Sequence, residues 1–271
     1  MIKILDGKKA RDFLAKKLQE KVLKLNKKPE LVVFQVGDDE RSSTYIKQKK
    51  IFGEKIGFNV RYIQLDKTVS ESDFISQIAE KNLDNYVMGI IIQLPLPANL
   101  NSVKIIDTID PKKDADGLSS VNIKKFFVND KSAIIPATAK GIISLLDFYK
   151  IKISGRKVVV VGRSLIAGRS IANAFINRDA TVTICHSKTK NLKKETKSAD
   201  ILITAIGKPK FIKKDYVKKG QIVIDVGISK VKGGICGDVD FLNVSKIVSA
   251  VSPVPGGVGP MTVISLFENM L

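Results

Sequence analysis

Four consecutive valines, Val158 to Val161, run without interruption into Gly162-Arg163-Ser164-Leu165-Ile166-Ala167-Gly168 and a helical segment. A strand that is apolar at every position, not at alternate ones, is buried on both faces, as strands are in a parallel sheet covered by helices on each side. Glycine at the carboxyl end of such a strand permits a tight turn and close approach to the main chain. The helix that follows offers N–H groups and partial positive charge, so the segment reads as a phosphate-binding turn. Its spacing is not G-x-G-x-x-G, and by motif alone a purely structural turn stays open.

Helical and extended segments alternate along the whole chain, with no internal repeat, low-complexity stretch or long linker, which predicts an α/β fold. Apolar residues at Ala10, Phe13, Leu14, Leu18, Val22 and Leu25 predict a first helix over 7–25. Strands are expected at 31–36, 59–64 and 87–93, and a second unit begins with a helix near 138–149. In that unit strands are expected at 158–161, 180–185, 200–205 and 221–226. At 271 residues, two domains of ordinary size are expected.

Composition narrows the function. The formal net charge of +19 raises the question of nucleic acid, but 39 of the 46 basic residues are lysines scattered over almost every segment, with few aromatics among them. A solvated basic surface that attracts small polyanions accounts for it better than a nucleic-acid groove. One histidine and two isolated cysteines, Cys185 and Cys236, exclude the usual zinc patterns, so no metal is expected. No window approaches the roughly 20 apolar residues of a membrane span, and the start lacks a secretory signal, which predicts a cytoplasmic protein.

Several polar residues sit where ligands bind in open α/β sheets. Tyr45 and Lys49 are four apart on a helix and share a face; Gln93 ends a strand; Asp116 lies in the glycine-flanked turn Asp114-Ala115-Asp116-Gly117. Each alone fits an ordinary structural role. In the second unit the strand ending at Cys185 leads to His186-Ser187-Lys188-Thr189, where a Rossmann-type domain meets the adenosine ribose. No carboxylate stands there to take a 2′-hydroxyl, whereas Ser187 with Arg163 or Lys188 suits a 2′-phosphate, which favours NADP over NAD. His186, the lone histidine, fits a structural or cofactor-side residue better than a catalytic base. Near the end, Pro253-Val254-Pro255-Gly256-Gly257-Val258-Gly259-Pro260-Met261-Thr262 is a shaped loop ahead of an apolar helix.

Taken together and in order, Tyr45-x-x-x-Lys49, Gln93-Leu94-Pro95-Leu96-Pro97, Lys113-Asp114-Ala115-Asp116-Gly117, Gly162-Arg163-Ser164, His186-Ser187-Lys188-Thr189, Asp225-Val226-Gly227-Ile228 and the Pro/Gly loop make nearly the whole chain resemble the bifunctional methylenetetrahydrofolate dehydrogenase/methenyltetrahydrofolate cyclohydrolase family. The resemblance implies a catalytic, folate-binding domain over 1–137 and 262–271, a Rossmann-like NADP-binding domain over 138–261, and folate bound in the cleft between them. It implies a homodimer acting in one-carbon metabolism and purine biosynthesis on tetrahydrofolate derivatives. Lys49 matches the catalytic lysine, Tyr45 the tyrosine that shapes the pterin site, Gln93 the glutamine that supports the lysine, and Asp116 the aspartate that holds the pterin. Ile92 and Leu94 beside Gln93, and Pro255, Gly256, Gly257, Val258 and Gly259, match further substrate contacts. Gly162, Arg163, Ser164, Ser187 and Ile228 match cofactor contacts. The chain departs from the family pattern at Ala137 and Ala139, where cysteine and proline are usual, and around the cofactor turn, where Ala167 replaces the usual valine before Gly168 and Ser170 the proline after Arg169.

The chemistry is consistent with these residues. Removing hydride from the methylene bridge gives a delocalised cation and chiefly needs the nicotinamide held in near-attack geometry. Hydrolysis of that cation needs an activated water and a proton relay, which a buried lysine of lowered pKa can supply. A carboxylate at Asp116 is acceptor-only and suits the pterin N–H donors. The rivals are a monofunctional dehydrogenase or cyclohydrolase on the same scaffold and, from another class, a basic nucleic-acid-binding protein. The Pro/Gly loop is expected to wall the folate site, so that valine at Gly257 raises the folate KM, or lowers kcat, with little effect on binary NADP binding.

Overall fold

A computed structural model describes residues 2–38 and 40–271, without the side chains of residues 40–46. In chain order its elements are β1 (Lys3–Ile4), α1 (Gly7–Val22), β2 (Glu30–Val36), α2 (Glu40–Lys55), β3 (Asn59–Leu65), α3 (Glu71–Leu83) and β4 (Val87–Ile92). They continue with α4 (Ser102–Ile106), α5 (Ser120–Phe127), α6 (Ala137–Phe148), β5 (Lys157–Val161), α7 (Ser170–Ile176), β6 (Thr181–Cys185), α8 (Leu192–Ser198) and β7 (Ile201–Thr204). The chain closes with β8 (Ile222–Asp225), the hairpin β9 (Ser229–Val231) and β10 (Gly234–Cys236), α9 (Phe241–Val244), β11 (Ala250–Val251) and α10 (Val258–Glu268). This is the two-domain α/β fold that the alternation predicts. The first helix ends three residues before its expected end, and Leu23 beyond it is exposed.

The chain divides into two compact units, one of residues 13–137 with 263–271 and one of residues 1–12 with 138–262. The first unit holds a parallel sheet of order β3-β2-β4. The middle strand, β2, is buried at every position, which is why Leu31 to Phe34 are apolar in succession and do not alternate; its two polar residues, Glu30 and Gln35, are buried as well. Its core joins Val32 and Phe34 of β2 to Phe74 and Ile78 of α3 and to Ile90 and Ile92 of β4. Residues 263–271 finish this unit. Phe267 packs edge-on to Phe58 at 5.0 Å and against Phe52 at 5.7 Å, and the Asn269 side-chain amide donates to the carbonyls of Ala115 and Ile135, both at 2.9 Å.

In the second unit six strands form a parallel sheet of order β1-β11-β8-β7-β5-β6. Strand order reverses at β5, whose valines are all buried, so the crevice beyond the carboxyl end of β5 is the switch point where open α/β sheets bind ligands. Residues 1–12, which the sequence places in the N-terminal domain, group with this unit instead. The reason is β1: Lys3 and Ile4 pair in parallel with Ala250 and Val251, and the Gly7 N–H donates to the Gly256 carbonyl at 2.8 Å.

Candidate active site

In the first unit, Lys49, Gln93 and Asp116 are held together. Residue 93 extends β4 by one rung, its N–H donating to the Phe34 carbonyl of β2 at 2.8 Å, before Pro95 and Pro97 end any further pairing. The Lys49 Nζ, carried on α2, donates to the Gln93 Oε1 at 3.0 Å, and the Gln93 Nε2 donates to the Leu94 carbonyl at 3.3 Å. That second bond turns the amide so that its oxygen faces the amine. Ile92 is buried beneath them, while Gln93 and Leu94 are half-buried. Tyr45 falls outside the described side chains.

Asp116 sits on a heavily braced turn. Lys113 reaches back with its Nζ to the carbonyls of Asn82 at 2.7 Å and Asp84 at 2.8 Å, closing the end of α3. Asp114, fully buried, accepts the N–H groups of Leu118 at 3.2 Å and Ser119 at 2.8 Å and the Asn122 amide at 2.9 Å. Gly117 has φ of +68°, and a Cβ there would lie 2.8 Å from the Ile134 carbonyl oxygen, so the turn requires glycine. The Ala137 N–H donates to the Asp116 carbonyl at 3.1 Å, a bond that involves only main chain and so tolerates alanine at 137. Asp114 and Lys113 are the bracing residues that residue-type arguments passed over; their place in the Lys113-to-Gly117 run was the available signal.

The electrostatics of the set are those of two groups drawn toward neutrality. Lys49 is only 7% exposed, and burial pushes its pKa below the ordinary lysine value against the pull of the Asp116 charge. Burial likewise pushes the Asp116 carboxyl up to about 6, with Lys49 opposing and the nearby Asp114 charge adding to the rise. A lysine of this kind can be neutral for part of a cycle and so accept a proton.

The second unit carries the glycine turn at its switch point. Gly162 has φ of +131°, and a Cβ on it would lie 2.4 Å from the Ala205 carbonyl oxygen; one on Gly168 would lie 2.3 Å from the Gly162 carbonyl oxygen. Between them a single π turn over Leu165–Arg169 leads into α7, with the Ser164 hydroxyl accepting the N–H groups of Ala167 and Gly168 at 3.4 Å. Arg163, Ser164, Ser187, Lys188 and Ile228 are exposed at the same carboxyl edge. A glycine turn of this shape can take a phosphate, and neither Gly162-Arg163-Ser164 nor His186-Ser187-Lys188-Thr189 contains an acidic residue. His186 is built into its own turn, its Nδ1 accepting the Lys188 N–H at 3.1 Å, which makes it a structural residue.

Pro255, Gly256, Gly257, Val258 and Gly259 belong to this second unit, and Val258 and Gly259 open α10. The loop is held from within. Gly257 donates its N–H to the Pro253 carbonyl at 2.8 Å, and a Cβ on Gly257 would lie 2.5 Å from that same oxygen. Valine there deforms the loop whatever is bound, whereas Gly259 faces open space and is the cleaner place to probe contact. Among the described residues no group of three or more His, Cys, Asp and Glu side chains could hold a metal ion, and no helix is long and apolar enough to cross a membrane.

Comparison with known proteins agrees over the full chain. The profile described as the tetrahydrofolate dehydrogenase/cyclohydrolase catalytic domain matches residues 5–116, and that of its NAD(P)-binding domain matches residues 136–271. The bifunctional protein FolD of Acholeplasma laidlawii is 47% identical over 98% of this chain and 96% of its own. Among solved structures, the bifunctional FolD dehydrogenase/cyclohydrolase of Campylobacter jejuni superposes with a TM-score of 0.97 at 38% identity, covering 100% of this chain and 97% of that one. The Trypanosoma brucei dehydrogenase-cyclohydrolase, solved with NADP and an inhibitor, gives 0.94 at 32% identity, covering 99% and 96%. With both profiles matched in order and whole-length identity of this size, the chain belongs to the tetrahydrofolate dehydrogenase/cyclohydrolase family.

Proposed function

We propose that the chain oxidises 5,10-methylenetetrahydrofolate with NADP and hydrolyses the resulting 5,10-methenyltetrahydrofolate to 10-formyltetrahydrofolate, with Lys49 as the catalytic lysine of the hydrolysis. The observation that carries the assignment is the buried Lys49 amine, held by Gln93 at 3.0 Å and drawn toward neutrality by burial. When bound, NADP accepts the hydride lost from the bridge carbon. The protein's part in that step is orientation, and no proton has to move. In the hydrolysis, neutral Lys49 takes a proton from the water that adds to the bridge carbon and returns it as a C–N bond opens. The Gln93 oxygen occupies one Lys49 N–H, so the lone pair is directed elsewhere. Asp116, ionised, accepts from pterin N–H donors. The family resemblance gives Ile92, Leu94 and Tyr45, and also Pro255 to Gly259, as further substrate contacts. Arg163, Ser187 and Lys188 favour the 2′-phosphate of NADP over the bare hydroxyl of NAD. The family resemblance also supports a cytoplasmic homodimer, and β6, which pairs only with β5 among the described strands, leaves an edge with Ile184 exposed.

The test follows NADPH and methenyl absorbance together from methylenetetrahydrofolate and NADP. Reduction of NADP followed by loss of the methenyl signal is expected; no reduction with NADP or NAD overturns the proposal. A methenyl product that persists reduces it to a monofunctional dehydrogenase.

Asp116 also sets a pH dependence. With its carboxyl at about 6, the anionic form that accepts from the pterin is lost as pH falls through that value. Dehydrogenase kcat/KM for the folate is expected to be level above pH 7 and to fall below about 6. Because the Lys49 charge holds this pKa down, the limb in Lys49→Met moves to higher pH. A profile flat to pH 5 in the unaltered protein removes Asp116 from substrate binding.

A further inference from the structure

Two buried carboxylates stand at the carboxyl edge of the second sheet, and the chemistry above uses neither. Asp225 ends β8. Its Oδ1 accepts the N–H groups of Gly227 and Asp238, each at 3.0 Å, and the Thr204 hydroxyl at 3.3 Å, while its Oδ2 accepts the Val239 N–H at 2.9 Å. Asp238, with no exposed surface, accepts the Ile206 N–H on Oδ2 and the Lys208 N–H on Oδ1, both at 2.7 Å. Each carboxylate lies against a glycine beside the other. A Cβ on Gly227 would fall 2.1 Å from the Asp238 Cγ, and one on Gly237 would fall 2.0 Å from the Asp225 Oδ2.

The segments gripped in this way are 206–208, which follows β7, and 227–228, which follows β8. Both leave the sheet on the side of Gly162, and Ile228 is among the residues assigned to the cofactor. Loops at a binding edge are ordinarily the least stable part of a domain, and ordering them on binding costs affinity. Buried carboxylates are themselves expensive: burial raises both groups, Asp225 to about 6. With this many main-chain donors on the two carboxylates, what they gain is the shape of the loops.

We propose that Asp238 and Asp225 are positioning residues that set the loops after β7 and β8 in their cofactor-binding form before the dinucleotide arrives. The proposal rests on the reading that this edge binds NADP. A carboxylate is required at 238 because both of its oxygens accept an N–H; an amide puts a donor against one of those N–H groups.

The experiment compares Asp238→Asn with the unaltered full-length protein by fluorescence titration of NADPH and by hydrolysis of supplied methenyltetrahydrofolate, which needs no cofactor. Binary NADPH binding is expected to weaken about tenfold, with hydrolysis within twofold of the unaltered rate. Equal NADPH affinity in the two proteins overturns the proposal, and so does a parallel loss of hydrolysis and binding, which marks a purely structural role. If the unaltered protein itself fails to bind NADPH, the cofactor reading is what fails. Should Asp238→Asn not fold, hydrogen exchange on the unaltered protein decides. Protection of the Ile206, Lys208 and Gly227 amides before NADP is added supports preorganisation, and protection gained only with NADP refutes it.

Discussion

Replacing Lys49 with Met is expected to lower methenyl hydrolysis by about 10²–10⁴-fold, the usual contribution of a positioned acid–base group, while the dehydrogenase keeps more of its rate. The asymmetry follows from the two reactions: hydride removal leaves a cation without moving a proton, whereas hydrolysis moves protons twice. Methionine suits the site because it fills the buried volume without charge. Lys49→Arg sharpens the test, since guanidinium keeps the positive charge but does not deprotonate. If charge alone mattered, arginine would preserve hydrolysis; loss in both variants identifies the base. The readout is hydrolysis of supplied methenyltetrahydrofolate beside NADPH formation from the methylene substrate. Equal residual rates for the two steps would sink the division of labour.

Gly168→Val is expected to act in the opposite sense, weakening cofactor binding and sparing hydrolysis. The added Cβ would lie 2.3 Å from the Gly162 carbonyl oxygen and 2.7 Å from the Arg163 nitrogen, both main-chain atoms that move only if the turn moves. Overpacking of this kind typically costs about 1–3 kcal/mol, which as lost affinity is about fivefold to 150-fold. Calorimetric titration with NADP measures it, and cofactor-free hydrolysis serves as the control for folding. Unchanged NADP affinity would mean that the glycine turn is not the phosphate cradle.

The parts of the fold that the sequence made legible are those whose burial is complete or regular. Val158 to Val161 and Leu31 to Val36 announce themselves because strands covered on both faces admit little but apolar residues. The two-residue strands β1 and β11 are too short to show any period, and only their pairing reveals that the first twelve residues belong with the second sheet. In the candidate site, Lys49 is indistinguishable by composition from Lys47 and Lys50. The difference is burial, since those two are exposed and Lys49 is not, and burial depends on how α2 meets Gln93 and Asp116. The family resemblance singled it out where periodicity did not. Asp238 was missed because its work is done on main-chain N–H groups, which leave no trace in residue type.

Residues 263–271 return to complete a unit whose strands lie before residue 93. During synthesis the whole second unit is therefore made before Phe267 can reach Phe52 and Phe58, or Asn269 can tie the carbonyls beside Asp116. A nascent chain that has not passed this point leaves the apolar seat of Phe267 open. The Asp116 turn then lacks one of its clamps, so a prematurely released polypeptide presents a sticky surface and an incompletely braced candidate site.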